Sequence, residues 1–263
     1  MKRMKKILAI LFSSIVVCGA CMCLTGCGLR LYESDFFIYT IGYESNEIGI
    51  LGLTDLGKEQ EYLVIPEKIG NRRVRSLGFD VNYYFDDIEE KYGDKKYGLM
   101  QSQKLKKIFV SSQCRIRRYG RTGPFYDCPN FEGCFILGGE DIDLEYYFKN
   151  WYIDDVTFYA TFGKVAEYSA VKTANVSYLY NYENPYEHAP NDGYYWIDNY
   201  NYGERIEYIP EAPVREGYTF GGWYKEAECI NAWDFATDVL PEAQYNGEEA
   251  VYQETRLYAK WIA

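Results

Sequence analysis

Cys27 is the residue of this chain best placed for a defined covalent reaction. It follows Leu24, Thr25 and Gly26, and its thiol is the one group in that box able to take a thioether-linked diacylglycerol. Thr25 and Gly26 are small enough for a peptidase to reach the chain just before it. The preceding residues have the order that export needs: a basic start (Lys2, Arg3, Lys5, Lys6), then an apolar run over 7–17 broken only by Ser13 and Ser14. Residues 1–26 thus read as a lipoprotein signal peptide and 27–34 as a lipid-anchored tether. Two acyl chains make such an anchor durable, at about 0.8 kcal/mol per buried methylene. Cys18 and Cys23 follow Val17 and Met22, poor cleavage residues, and Cys21 lacks the leucine. The alternative is an uncleaved anchor, for which the apolar stretch is only just long enough. Either way the body of the chain is expected outside the cytoplasmic membrane, with membrane lipid as a partner through Cys27.

No catalytic set stands out. His188 is the sole histidine and lies in a Pro- and Asn-rich loop, so a Ser-His-Asp or Cys-His site would have to be built there, and no Gly-x-Ser-x-Gly elbow is present to meet it. Carboxylates are abundant, and a glycosidase needs only two well-placed ones, but no pair sits in a recognisable motif. Asp141, Asp143 and Glu145 alternate without the glycine and distal glutamate of a calcium loop. No cofactor or metal motif is found. Beyond Cys27 the cysteines are Cys114, Cys128, Cys134 and Cys229, with no C-x-x-C pair. They read as small buried thiols, the alternative being a disulfide between two of the first three.

Two stretches could bind. Lys104, Lys106, Lys107, Arg115, Arg117, Arg118 and Arg121 make seven basic residues with no acid between them. On stacked strands they would form a ridge for an anionic polymer, or else a solvated face or an internal counter-charge to the acidic segment over 80–94. A tyrosine cluster, with Tyr194, Tyr195, Trp196, Tyr200 and Tyr202 at its centre, reads as a glycan- or protein-contact face, or as ordinary strand packing.

The elements that must carry these residues are strands. Tyrosine is heavy, at 29 residues, and long helical periodicity is rare. Strand patterns run over 35–41, 47–53, 61–66, 72–77, 104–110, 114–119 and 131–137, with an insertion over 80–100. Leu105-x-x-Ile108-Phe109-Val110 and Phe131-x-x-Cys134-Phe135-Ile136 share apolar spacing at an offset of 26, as in stacked repeats that cannot bury their edges alone. The leader holds four of the 28 basic residues and no acid, so the rest sets 24 basic against 39 acidic side chains, formally −15. That argues against nucleic-acid binding, which needs phosphate neutralisation.

Two resemblances follow. Residues 66–78, Pro-Glu-Lys-Ile-Gly-Asn-Arg-Arg-Val-Arg-Ser-Leu-Gly, and the Phe125-x-x-Cys128 turn resemble the BspA-type leucine-rich repeats of bacterial surface proteins. That implies a short sheet stack over 35–165. The run Gly217-Tyr218-Thr219-Phe220-x-Gly222-Trp223-Tyr224, with the closing Leu257-Tyr258-Ala259-x-Trp261, resembles the internalin B repeat, also called the Listeria–Bacteroides repeat. It implies a small β-grasp-like module over 171–263. A mostly β chain is therefore expected, a leucine-rich-repeat-like stack followed by a B-repeat module. The resemblances imply surface interaction in a Gram-positive setting; with the leader and the lack of a catalytic set, a non-enzymatic adhesion or binding lipoprotein is expected, with a cell-wall polymer, glycan or protein as partner. The alternatives are a structural spacer and a carboxylate-dependent glycan hydrolase.

Overall fold

The structure, a computed structural model, describes residues 30–42, 46–78, 100–111, 113–116, 124–125, 127–137, 156–161, 171–182 and 193–263. The leader with Cys27, the insertion apart from Met100, the Asp141–Glu145 stretch and His188 lie outside the described residues. The described chain is mostly β, as composition and periodicity imply.

It begins with β1 (Leu31–Glu33), β2 (Phe37–Ile41) and β3 (Ile48–Leu53), an antiparallel meander. The tether reading of 27–34 gives way over Leu31–Glu33; residues 27–29 lie outside the described residues. Leu31–Glu33 is an edge strand, held because Tyr32 finds the Tyr39 ring directly across the ladder, centroids 5.6 Å apart. A one-turn helix α1 (Asp55–Lys58) follows, capped by the Thr54 hydroxyl, which accepts from the Gly57 N–H at 3.1 Å. Gly57 lies against the Phe36 carbonyl so closely that a Cβ would come within 2.2 Å of its oxygen.

From there the chain coils. β4 (Tyr62–Val64), β7 (Lys107–Ser111), β9 (Gly133–Leu137), β10 (Phe158–Ala160) and β11 (Val171–Thr173) form a parallel sheet in the order β11-β10-β9-β7-β4. β5 (Lys68–Ile69) and β6 (Arg72–Leu77) make a hairpin whose turn needs Gly70 at φ 60°. β6 runs parallel to β3 on one side and β8 (Arg115–Ile116) on the other, completing the second sheet. Ile108 pairs with Cys134, Phe109 with Phe135 and Val110 with Ile136. The repeat seen in sequence at offset 26 is therefore the ladder register itself.

Alternation along the parallel strands sorts the core. Leu63, Ile108, Val110, Cys134, Ile136, Phe158 and Ala160 point between the two sheets, where Ile48, Ile50, Val74 and Leu77 meet them. Cys128 ends the Phe125-x-x-Cys128 turn with its amide bonded to the Phe125 carbonyl at 2.9 Å, its thiol tucked under the coil near the Ser102 N–H. Cys114, Cys128, Cys134 and Cys229 are all free thiols. Burial pushes Cys114 up to about 12 and Cys134 well above the ordinary thiol range.

The C-terminal part contributes β12 (Val176–Leu179), β13 (Tyr194–Asp198), β14 (Thr219–Tyr224) and β17 (Thr255–Ile262) in the order β13-β12-β17-β14, with β12 and β17 parallel. A separate hairpin joins β15 (Gln244–Asn246) to β16 (Glu249–Val251). Gly217 (φ 79°) and Gly222 (φ 105°) bracket the Tyr218–Phe220 segment in the left-handed region, as the turns there require. Trp223 is buried edge-on to Tyr178 at 4.9 Å. Val171–Thr173, read above as opening the C-terminal module, is instead the last strand of the parallel sheet, in register with Phe158–Ala160.

Two outcomes follow. Gly57→Ala is expected to destabilise the chain by roughly 1–3 kcal/mol, although helix propensity alone favours alanine by about 1 kcal/mol; the shift of the urea midpoint measures it, and a rise would refute the Phe36 contact as the reason for glycine. Iodoacetamide on the native chain is expected to modify half-exposed Cys229 before Cys114, Cys128 and Cys134, which should react only on unfolding, as read by peptide mass mapping.

Candidate functional site

The outer face of the parallel sheet is the one that meets the C-terminal part. Opposite in parity to the inner core stand Tyr62, Lys107, Phe109, Phe135 and Tyr159. Trp196 of β13 packs on Phe109 with centroids 4.2 Å apart, and Tyr208 lies on Tyr62 at 5.0 Å and Phe109 at 5.6 Å. Phe135 bridges to Phe109 at 5.0 Å and to Tyr159 at 4.6 Å. Two residues along β13, on the same face as Trp196, Asp198 is fully buried. Its Oδ1 lies 2.7 Å from Lys107 Nζ. Lys107 also donates to the Asn199 carbonyl at 2.8 Å and sits 3.8 Å above the Tyr200 ring. The carboxylate accepts further from the Asn199 N–H at 2.7 Å and the Tyr200 hydroxyl at 2.8 Å. Burial raises the Asp198 carboxyl above its ordinary range, and the Lys107 ammonium with these donors works against that rise.

This geometry corrects the basic ridge. Lys107 is 3% exposed and committed to Asp198, so it offers nothing to a polymer. Lys104 and Lys106 are exposed and half-exposed but paired with Glu59 and, at 3.0 Å, Glu61. Arg115 lies on β8 in the other sheet, half-buried and interacting. Arg117, Arg118 and Arg121 lie outside the described residues. The described members thus do not share a face.

The aromatic face is corrected in part. Trp196 and Tyr200 are buried core. Tyr195 turns the other way, into the C-terminal core, stacked on Trp223 at 5.8 Å with its hydroxyl on the Glu211 carbonyl. Tyr194 is half-buried. Tyr202 is half-buried too, and Tyr200 and Tyr202 are among the residues lining an open groove of about 450 Å³.

Three segments build that groove. The end of β13 supplies Asn199, Tyr200, Asn201 and Tyr202, the turn after β11 supplies Thr173 and Asn175, and the hairpin supplies Tyr245, Ala250 and Tyr252 around it, with Ala243. Asn175 fastens the wall: its Nδ2 donates to the Tyr200 carbonyl at 2.7 Å and its Oδ1 accepts from the Tyr200 N–H at 3.1 Å. Tyr252 donates to the Ala174 carbonyl at 2.8 Å, and the Tyr202 hydroxyl accepts from the Gln253 N–H at 2.8 Å. Burial and, less strongly, the Asp198 and Glu254 carboxylates push the phenols of Tyr200 and Tyr252 far above their ordinary range, so both stay neutral. None of the ten lining residues is charged. Sequence reasoning missed Asn175, Asn199, Asn201, Tyr245 and Tyr252; a signal was present in the Asn–Tyr alternation over 199–202. Among the described residues no group of His, Cys, Asp and Glu is set to hold a metal ion, and no helix is long and apolar enough to cross a membrane.

Residues 186–260 contain a Listeria–Bacteroides repeat domain, which includes β13 to β16 and most of β17 together with the wall and hairpin of the groove. The chain is 56% identical over 32 residues to internalin H of Listeria monocytogenes, covering 12% of this chain and 6% of that protein. It is 38% identical over 60 residues to a membrane protein of Evansella cellulosilytica, covering 23% of this chain and 7% of that one. The chain thus spans less than a tenth of the length of these relatives.

The buried pair yields a double-mutant prediction. Lys107→Met, which strands the Asp198 carboxylate, is expected to cost roughly 3–5 kcal/mol in urea unfolding. Lys107→Met with Asp198→Asn, which removes both charges but keeps an acceptor for Tyr200 and Asn199, is expected to recover most of it. Equal losses in the single and double variants would show that packing, not charge pairing, sets the cost.

Proposed function

We propose that this chain is a non-enzymatic binding protein of the cell surface, held at the envelope by lipid on Cys27 and meeting its partner through the groove at the end of β13. The observation that carries the reading is the groove itself: phenol rings and amides, open to solvent, eight of whose ten lining residues fall in the part of the chain that matches a Listeria–Bacteroides repeat. The likeness to an internalin and to a membrane protein supports the surface location, and the order of the leader supports export and lipidation. The N-terminal stack reads as a BspA-like leucine-rich-repeat remnant, supported by the 26-residue coil and the Phe125-x-x-Cys128 turn. Binding is favoured over glycan hydrolysis because a carboxylate-dependent glycoside hydrolase needs two carboxylates converging on its substrate, and the groove's lining has none.

Two measurements test this. Cys27→Ser is expected to move the protein from the membrane fraction to the medium, and protease added outside intact cells is expected to degrade the unsubstituted protein. In pull-down of envelope fragments by the full chain, Tyr245→Ala with Tyr252→Ala is expected to weaken capture about tenfold, while Lys104→Glu with Lys106→Glu leaves it unchanged. The reverse pattern would return the binding role to the basic stretch.

A further inference from the structure

We infer that the groove takes an uncharged polysaccharide, with Tyr245 and Tyr252 as stacking surfaces and Asn199 and Asn201 as readers of sugar hydroxyls; this rests on the groove being the binding site. What each lining group has left to offer decides the ligand. The hydroxyls of Tyr200, Tyr202 and Tyr252 are already bonded within the protein. Those bonds fix the rings; Tyr200 is buried with Lys107 over its face, so half-buried Tyr202 and exposed Tyr252 supply the ring surface within a ligand's reach, at little entropic cost. Tyr245 is 66% exposed and Tyr252 38%. Apolar rings exposed beside amides suit the C–H faces of a pyranose, which need flat apolar area bordered by hydrogen-bonding groups. The Asn175 amide is spent on Tyr200. The Asn199 side chain has no protein partner among the described residues, and Asn201 uses only its Nδ2, toward Glu204 at 3.1 Å, leaving its oxygen to accept. An amide offers both a donor and an acceptor, the pairing that vicinal hydroxyls present.

Charge separates this ligand from an anionic polymer. The lining carries none, in a chain where Asp and Glu outnumber Lys and Arg by 39 to 28. Asp198 behind the wall is neutralised by Lys107, and two further acids stand beside the wall: Glu204 on Asn201, and Glu242 against Gly203, where a Cβ would lie 3.1 Å from the carboxylate. A sulfate or phosphodiester would meet those carboxylates with no cation in the lining to answer them, since Arg256, whose field reaches Tyr252, is paired with Glu254. The hairpin adds adaptability. β15 and β16 pair only with each other and are exposed throughout, an arrangement of marginal stability alone. Its base is pinned by Gln253, which donates to the Glu242 carbonyl at 2.9 Å. Tyr245 can therefore shift to meet a chain of sugars while the β13 wall stays fixed.

The test is affinity electrophoresis of the full chain through gels holding dextran, mannan or glycol chitin, with dextran sulfate as the anionic counterpart. Retardation by at least one neutral polymer is expected, insensitive to added salt and weaker on dextran sulfate. Tyr245→Ala, at an exposed position that tolerates substitution, is expected to lower affinity about tenfold, and Tyr245→Phe to keep it. Retardation only by dextran sulfate, collapsing with salt, overturns the uncharged class. Capture of envelope fragments through the groove that is lost when the envelope is digested with protease, but survives periodate, assigns a protein partner and overturns the sugar while leaving the groove. Neutral-polymer binding indifferent to both Tyr245→Ala and Tyr252→Ala overturns the groove as well.

Discussion

An ammonium and a carboxylate held together out of water constrain a protein more than they stabilise it. Each ion loses hydration worth several kcal/mol, and their attraction offsets that only when geometry and additional hydrogen bonds are right. Lys107 and Asp198 meet those conditions: they touch at 2.7 Å, and the Tyr200 hydroxyl and Asn199 N–H complete the carboxylate's shell. The gain in area comes from the rings beside them, Phe109 against Trp196 and Tyr208 against Tyr62. Rings alone tolerate sliding, since apolar contact is non-directional. A buried pair does not, because any displacement leaves an uncompensated charge. The N-terminal stack and the C-terminal sheet are thus joined in one register.

That register is also what gives the groove its wall. Asn199 and Tyr200 belong to both: the Asn199 backbone and the Tyr200 hydroxyl serve the ion pair, and both residues line the groove. Asn175, on the connection from the parallel sheet to β12, holds Tyr200 from the other side through two bonds to its backbone. A wall fastened at both ends can present amides without spending ligand affinity on ordering them. The opposite lip, the β15–β16 hairpin, has no such fastening beyond its base. One side is rigid and the other adaptable.

Much of the architecture was legible in the residues. The spacing of Leu105, Ile108 and Val110 against Phe131, Cys134 and Ile136 states the ladder register, because stacked coils repeat their inward positions at the coil length. Gly217, Gly222 and Trp223 mark turns and an anchor whose demands are local, so sequence suffices for them. Lys107 was not legible in the same way. Alternation puts it on the face opposite Ile108, but says nothing of what covers that face. A strand pattern with a charged residue reads as solvent-facing until a second layer arrives, and that layer comes from residues nearly a hundred positions on. Asp198 closing the run Tyr-Tyr-Trp-Ile-Asp held the complementary hint, an acid at the end of an aromatic strand. The groove residues share this difficulty: Asn175, Asn201 and Tyr245 meet only through long-range packing.

The distribution of charge then bears on how such a surface can bind at all. Lysines that could have made a basic patch are used inside the stack or against its own acids: Lys107 in the junction, Lys104 on Glu59 and Lys106 on Glu61. An acidic exterior repels the anionic polymers that a patch of that kind would have drawn, and exposed pairs contribute little energy in water. Recognition must rest on short-range forces that need contact: ring faces, amides and close fit. These forces fall off within a few ångströms, so they demand a prearranged surface in a way that long-range steering does not. On the binding reading, the buried pair between Lys107 and Asp198 contributes by holding Asn199 and Tyr200, and so the groove's wall, in one place.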